Sequence, residues 1–482
     1  MIEHDLKHLK SQLPSKWLFW KHRRYILALM TFFGFFNAYT LRGNLSIAIV
    51  AMTSDRNETL KNGTVINIGP EFKWSNEIQG YILSSFFYGY ITTQLLGGYF
   101  AKKYGGKIIF GTGIAVTAAA TLITPWLANN VYLLICVRVI EGIFEGVTYP
   151  SVAGLWSKWA PPLERSGLMM FASAGSYFGT VIALPLSALL AEAFGWRSIF
   201  WFFGAVGLFW YACWLYIVTS SPDQDSKISE EELKYIQISL EINTKEEFEK
   251  VPVPWKSIAS SKAVLAICMS NICENWGFYT FLTQLPKYLK DIYSFDLGTS
   301  GFLSGLPYLA MGIFVPVAGQ LADFVLTKGY LTVTQCRKTW TFVGFSAQFV
   351  FLLAVAFASS EIVTVICLTF AVGIGAFAFV GYYVNPLDIA PQYASIIVGI
   401  SNTFGTLPGI ISPILSGYIV SDNPTVEQWQ TVFFIAAGLY IIGAIVFVIC
   451  ASGEVQSWAQ KRVPKSNIYG SCDDQSIENK AC

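Results

Sequence analysis

The segment RVIEGIFEG, Arg138 to Gly146, sets an arginine and two glutamates inside an apolar run that spans residues 131–156. An ionisable side chain at the centre of a bilayer costs roughly 2.5–3.5 kcal/mol on insertion scales. Such groups therefore face a bundle interior or a wet cavity, and they meet a partner there. Spacings of three and four place Arg138, Glu141 and Glu145 on one helix face. Two readings stand side by side. In one, Arg138 pairs with Glu141 as a structural ion pair, and Glu145 needs a partner of its own or a proton. In the other, Glu141 and Glu145 form a proton-sensing pair on a transport route, with Arg138 tuning them, because burial disfavours an ionised carboxylate. Gly142 and Gly146 fall on a neighbouring stripe and admit a closely packed helix.

Two further ionisable residues sit in apolar runs: Arg42 in YTLRGNLSIAIV and Glu274 in NICENWGFYT. Arg42 either snorkels to the outer interface or grips a substrate carboxylate or phosphate in bidentate fashion. A rise of about 1.5 Å per residue puts Arg42 and Arg138 at similar depth in the outer halves of their helices. Glu141 and Glu145 then lie deeper, so the basic groups meet an entering anion first. Tyr88, Tyr90, Tyr177, Tyr308 and Tyr383 are polar aromatic positions suited to a cavity wall or to packing. Asn402 interrupts the greasy stretch GISNTFGTLPG and is a cavity candidate.

The elements that hold these groups are membrane helices. The chain has 482 residues, of which 54% are hydrophobic and only 13% charged. Soluble proteins carry about 25% charged residues, so much of this surface does not face water. Spans of about 20 apolar residues cross a bilayer. Twelve are expected, at 25–50, 78–99, 107–127, 131–156, 167–190, 198–219, 263–289, 298–320, 339–358, 362–385, 394–419 and 428–451. The fold class is an all-α membrane protein with two pseudo-symmetric six-helix halves. Residues 1–24 form an N-terminal tail, 25–219 and 263–451 the bundles, 220–262 a linker and 452–482 a C-terminal tail. GGYFAKKYGGK after the second span and GQLADFVLTKGY after the eighth occupy matching places in the two halves. That pattern resembles the major facilitator architecture.

Basic residues at KHRR, at Lys102, Lys103 and Lys107, and at Lys328, Arg337 and Lys338 set the orientation, with both termini and the linker cytoplasmic. Asn57 and Asn62, in NET and NGT, are glycosylation acceptors on the outer or lumenal side. In the linker, Ser229 and Glu232 fit a capping box on an exposed helix. The nine cysteines show no disulfide framework or metal spacing. A net charge of +1 implies no nucleic-acid partner. No nucleophile–base motif, phosphate loop or cofactor motif stands out, and the chain is not expected to be an enzyme.

Several stretches carry a further resemblance: LRGNLSIAIVAM, SSFFYGYITTQLLGGY, GVTYPSVAGLWSKWAPPLERSGL, GFLSGLPYL, NPLDIAPQYA and EQWQTVFFIAAGLY. They are similar to the anion–cation symporter family, which holds sialin, the vesicular glutamate transporters and the type I sodium–phosphate cotransporters. The similarity runs from about residue 24 to 460, and the pattern is most like its sialin-like members. The resemblance implies alternating-access transport of a small organic anion or phosphate, coupled to protons, sodium or voltage. It implies substrate binding by Arg42 and ion coupling by Arg138, Glu141 and Glu145. Tyr88, Tyr308 and Asn402 join Arg42 as expected substrate contacts. A lysosomal, vesicular or plasma-membrane location is expected. The chain departs from the family at Glu274, where the glutamate carriers have arginine and sialin has tyrosine. Pro386 replaces the histidine of the family's NHLDIAP, and Ala153 replaces a sialin histidine. Glu274 is expected to meet an ammonium group or a sodium ion, to pair with Arg42, or to lie protonated in the core. A sodium-coupled phosphate carrier, an anion channel and a membrane sensor are the alternatives.

Overall fold

The computed structural model describes residues 19–53, 56–59, 65–74, 76–240, 253–293, 297–358, 360–420 and 425–460. The first half contains α1 (Arg23–Thr53), α2 (Asn76–Tyr104), α3 (Gly106–Leu127), α4 (Val131–Glu145), α5 (Thr148–Trp159), α6 (Arg165–Phe194) and α7 (Arg197–Ile217). Two short linker helices follow, α8 (Glu230–Ser239) and α9 (Trp255–Ala259). The second half contains α10 (Lys262–Tyr293), α11 (Leu297–Thr327), α12 (Val333–Ala356), α13 (Glu361–Ile389), α14 (Ala394–Ile419) and α15 (Val426–Cys450). An antiparallel ribbon of β1 (Arg56–Thr59) and β2 (Val65–Gly69) lies in the loop after α1. Asn57 lies in β1, and Asn62 lies outside the described residues.

With α4 and α5 counted as one broken span, the long helices among the described residues number twelve, in two halves of six. The run expected to be one helix over 131–156 is two, because the chain turns at Gly146 and Val147. Thr148 donates its hydroxyl to the Glu145 carbonyl at 2.7 Å, occupying an acceptor that the break leaves open. Eight helices among the described residues are long and apolar enough to cross a membrane by length and composition. The helices bearing Arg42, the Arg138 cluster and Glu274 fall outside that group. Large apolar side chains such as Phe209, Ile414, Ile449 and Tyr418 are exposed. An apolar surface of that kind belongs in lipid.

Packing inside each half uses small residues and aromatic clusters. At Gly142 of α4 a Cβ atom would run into the Phe86 carbonyl of α2 and come within 2.9 Å of the Tyr90 nitrogen. Only glycine lets these two backbones meet, as small-residue helix packing requires. Phe35, Phe110, Trp210 and Trp214 join α1, α3 and α7 in the first core.

The two halves meet mainly along two seams, α2 against α14 and α6 against α11, with α5 also packed on α14. These are the second span with the eleventh and the fifth with the eighth, pairs that a pseudo-twofold axis exchanges. One face of the bundle carries residue 23, α8 and residues 454–459, and is called here the terminal face. Ion pairs close it. Asp388 of α13 takes Arg165 of α6 at 3.0 Å and Arg337 of α12 at 2.7 Å. Asp323 of α11 accepts the Ser166 and Gly167 N–H groups at 3.1 and 2.5 Å, at the N-terminus of α6. A carboxylate there is favoured by the helix dipole.

The linker helix differs from expectation. Ser229 caps it by accepting the Glu232 N–H at 3.2 Å, but Glu232 does not reach back to Ser229. Its carboxylate takes Arg24 Nη1 at 2.7 Å and the Arg23 N–H at 2.8 Å. Tyr235 and Ile236 are buried, so one face of α8 docks on the bundle instead of standing in water. Arg24 also pairs with Glu164 at 2.8 Å, and Arg23 with Asp225 at 2.7 Å.

Candidate functional site

A cavity lies between the halves and encloses about 650 Å³ of atom-free space, mouth included. The first half supplies Tyr39, Tyr90, Tyr149 and Tyr177. The second supplies Asn271, Glu274, Asn275, Phe278 and Tyr279 from α10, with Phe379, Tyr382 and Tyr383 from α13 and Asn402, Gly405 and Thr406 from α14. On α10 the lining positions repeat every three or four residues, so one face of a long helix forms most of one wall. Seven tyrosines make the surface amphipathic: flat apolar faces with hydroxyl tips. Tyr39 and Tyr149 hydroxyls meet at 3.0 Å.

The charges of the first half stand directly behind this wall. Arg42 Cζ lies 4.5 Å from the Tyr39 ring centroid and 4.7 Å from that of Tyr90, and both rings line the cavity. Its Nε and Nη2 donate to the same oxygen, Oε1 of Glu145, at 2.9 and 2.5 Å. The second Glu145 oxygen has no hydrogen-bond partner, although it is buried. Arg138 donates to Glu141 at 2.5 Å, and Thr121 donates to the other Glu141 oxygen at 2.9 Å. Phe86 contacts both guanidinium groups, at 4.8 Å from Arg42 and 5.3 Å from Arg138.

Of the expected coupling residues, Arg138, Glu141 and Glu145 are all almost fully buried on one face of α4. The structure shows the Arg138–Glu141 pair, and it gives Glu145 a partner on another helix. Arg42 is not a free anion trap: its guanidinium is bonded to Glu145. Glu274 does not pair with Arg42 either. It lies in the opposite wall, accepts a 3.4 Å hydrogen bond from Gln348 on Oε1, and has no partner on Oε2.

The expected substrate contacts separate. Asn402 lines the cavity and accepts the Asn271 amide at 2.9 Å. Tyr308 is buried outside the lining and donates to the Phe278 carbonyl at 3.1 Å, so its hydroxyl serves α10 rather than a ligand. Tyr88 is 54% exposed, on the outer stripe of α2 with Tyr81 and Leu95, and does not reach the cavity. A seven-residue spacing keeps those three on one face, away from buried Phe86 and Tyr90. Tyr90, Tyr177 and Tyr383 do line it. Asn271 and Asn275 had a readable signal, since they flank Glu274 at helical spacing in an apolar run. Tyr39 and Tyr149 had none beyond being tyrosines.

A cavity between two pseudo-symmetric six-helix halves, walled by polar aromatics and backed by ion pairs, points to a membrane transporter. The chain matches the Major Facilitator Superfamily over residues 27–413. It is 43% identical to sialin of Homo sapiens over 453 residues, covering 90% of each chain. It is 42% identical to vesicular glutamate transporter 1 of Xenopus laevis over 462 residues, covering 95% of this chain and 80% of that one. A solved structure of the proton:xylose symporter XylE, bound to 6-bromo-6-deoxy-D-glucose, shares the fold with a TM-score of 0.66 at 16% identity, over 90% of this chain and 97% of that one. The protein belongs to the Major Facilitator Superfamily and, within it, to the anion–cation symporter family. It is a multi-pass membrane transporter and not an enzyme.

Proposed function

We propose that the protein is a secondary active transporter that moves a small organic anion by alternating access, coupled to protons. The observation that carries this reading is the Arg42–Glu145 ion pair directly behind the cavity wall. While Glu145 is ionised, the guanidinium is neutralised and has little to offer an anion. A proton on Glu145 releases Arg42, whose planar fork suits a carboxylate. Loading of proton and anion are thereby linked, because each makes room for the other. The Arg138–Glu141 pair lies one turn away and keeps a second positive charge compensated. The loaded site carries no net addition of charge, which lowers the cost of carrying it past apolar packing.

The names of the relatives support the anion: sialin and the vesicular glutamate transporters are similar over nearly the whole chain. In this reading the termini and α8 lie in the cytoplasm, the terminal face is the cytoplasmic gate, and the membrane is lysosomal or vesicular. The 25–219 and 263–451 segments are the two bodies that rock.

The test is uptake by proteoliposomes containing the full chain, from a panel of sialic acid, glucuronate, acidic amino acids, urate and phosphate, with and without an inward proton gradient. Uptake of at least one organic anion should rise with the gradient and collapse when a protonophore is added. Uptake that follows sodium alone, or phosphate alone, overturns the reading in favour of a sodium-coupled phosphate carrier.

A further inference from the structure

We propose that Glu274, with Asn275 and Asn402 beside it, is a subsite for an ammonium group, so the preferred cargo is an amine-bearing carboxylate and not a plain anion. The proposal rests on the transport reading above and changes its charge balance: the cargo becomes a net-neutral zwitterion, and the proton on Glu145 is offset by Glu274 instead of by the cargo.

Glu274 is a lining residue of the cavity and only 8% exposed. Its carboxyl has one long hydrogen bond, 3.4 Å from Gln348, and its Oε2 has none. No lysine, arginine or histidine among the described residues forms a salt bridge with it. A buried carboxylate without a cation is among the costliest groups a protein can hold, and such a group marks a site where a cation or proton arrives.

The charge balance points to a cation on the cargo. Behind the first wall, Arg42 and Arg138 are each matched by one glutamate, so that cluster sums to zero. With all groups ionised, Glu274 leaves the cavity with one negative charge facing the place where cargo sits. A plain anion adds a like charge. A zwitterion resolves both ends: its carboxylate takes Arg42 when Glu145 is protonated, and its ammonium group takes Glu274.

The surroundings fit three N–H donors. Asn275 donates its amide to Asn271, at 2.6 Å to Oδ1 and 2.8 Å to the backbone oxygen, and its own Oδ1 receives no hydrogen bond from a described residue. Asn402 presents Oδ1, engaged by Asn271 at 2.9 Å and able to accept again. Tyrosine faces attract an organic cation through their ring quadrupoles. A bare metal cation wants a shell of oxygens, and this wall is mostly aromatic. At Gly375 a Cβ atom would sit 2.8 Å from Glu274 Oε1, so the helix opposite is cut away where the carboxylate stands.

The experiment uses matched pairs of probes on the purified full-length chain over a pH series from acid to mildly alkaline: beta-alanine and propionate, gamma-aminobutyrate and butyrate, tyrosine and hydroxyphenylpropionate. Binding is read from the shift in melting temperature, in sodium chloride and again in potassium chloride. In the pairs that bind, the amine-bearing member should bind at least about tenfold tighter. Glu274→Gln should erase that preference, and its fold should survive because it removes an uncompensated charge. Asn275→Ala should weaken the amine-bearing members only. The proposal is overturned if no amine-bearing probe binds, if the deaminated member binds as well, or if the preference survives Glu274→Gln. Stabilisation by sodium alone that depends on Glu274 also overturns it. Proton-driven uptake of plain carboxylates without amine preference sinks this proposal and leaves the transport reading intact; amine preference without proton drive does the reverse.

Discussion

Arg42 of α1 and Glu145 of α4, 103 residues apart in the chain, form an ion pair, buried on the glutamate side, in which two guanidinium nitrogens converge on one carboxylate oxygen. The other oxygen is buried and unbonded. The pair is therefore lopsided: it satisfies the arginine better than the glutamate. A proton arriving on the idle oxygen breaks the pair without first requiring movement of a helix.

Glu145→Gln should uncouple transport from protons. With no carboxylate to titrate, Arg42 stays available at every pH. Uptake in the wild type should rise as the loading side is acidified, because protonation frees the arginine. In the variant the pH profile should be flat, with binding at neutral pH equal to or tighter than wild type. Radiolabel uptake across a series of buffers decides it, and an unchanged acid dependence refutes the role of Glu145.

Arg42→Lys keeps a positive charge but loses the fork that reaches Glu145 and a carboxylate together. Transport should fall by roughly 30-fold or more, since truncating one partner of a buried charged pair costs about 2–5 kcal/mol. Surface expression and melting temperature should change much less than uptake. Equal losses in both would make Arg42 a structural residue only.

The seam between α5 and α14 offers a direct report on rocking. A Cβ atom at Gly154 would lie 3.3 Å from the Ser395 Cβ. Disulfides need Cβ separations of about 3.5–4.5 Å, within small backbone adjustment. The double variant Gly154→Cys, Ser395→Cys should cross-link under mild oxidation and stop transport, and reductant should restore it. Transport that continues through the cross-link rules out opening at this face.

Orientation has its own test. Asn57 and Asn62 should both carry glycans when the chain is expressed in animal cells, because their loop lies opposite the terminal face. Asn57→Gln and Asn62→Gln should each increase mobility by one glycan on a gel, and together they should remove the response to glycosidase. Protection of both sites would invert the topology.

Periodicity carried most of the fold. Long apolar runs with basic loops defined spans that overlap the helices, with ends that differ by up to about a helical turn or two, apart from the break at Gly146 and Val147, where Pro150 has no N–H for the Gly146 carbonyl and the expected span overlooked it. The site was legible in part. Arg138 with Glu141 is a contact within one helix, which spacing alone can disclose. Arg42 with Glu145 joins two helices, and nothing in a one-dimensional pattern says which buried acid meets which buried base. Tyr88 and Tyr90 show the same limit. Both are tyrosines in one apolar run, two residues apart, and a turn of about 200° sends one to the outer surface and the other to the cavity. Glu232 looked like a local cap because Ser229 precedes it by three, but Arg24, far away in the chain, competes for its carboxylate and wins.

The seams α2–α14 and α6–α11 are equivalents of each other under the internal symmetry, so tilting one half against the other trades like for like along both. Asp388 and Asp323 add a polar fastening to those seams at the terminal face. Any opening at that end must first part Asp388 from Arg165 and Asp323 from the first turn of α6, so the two carboxylates act as one latch between the two bodies.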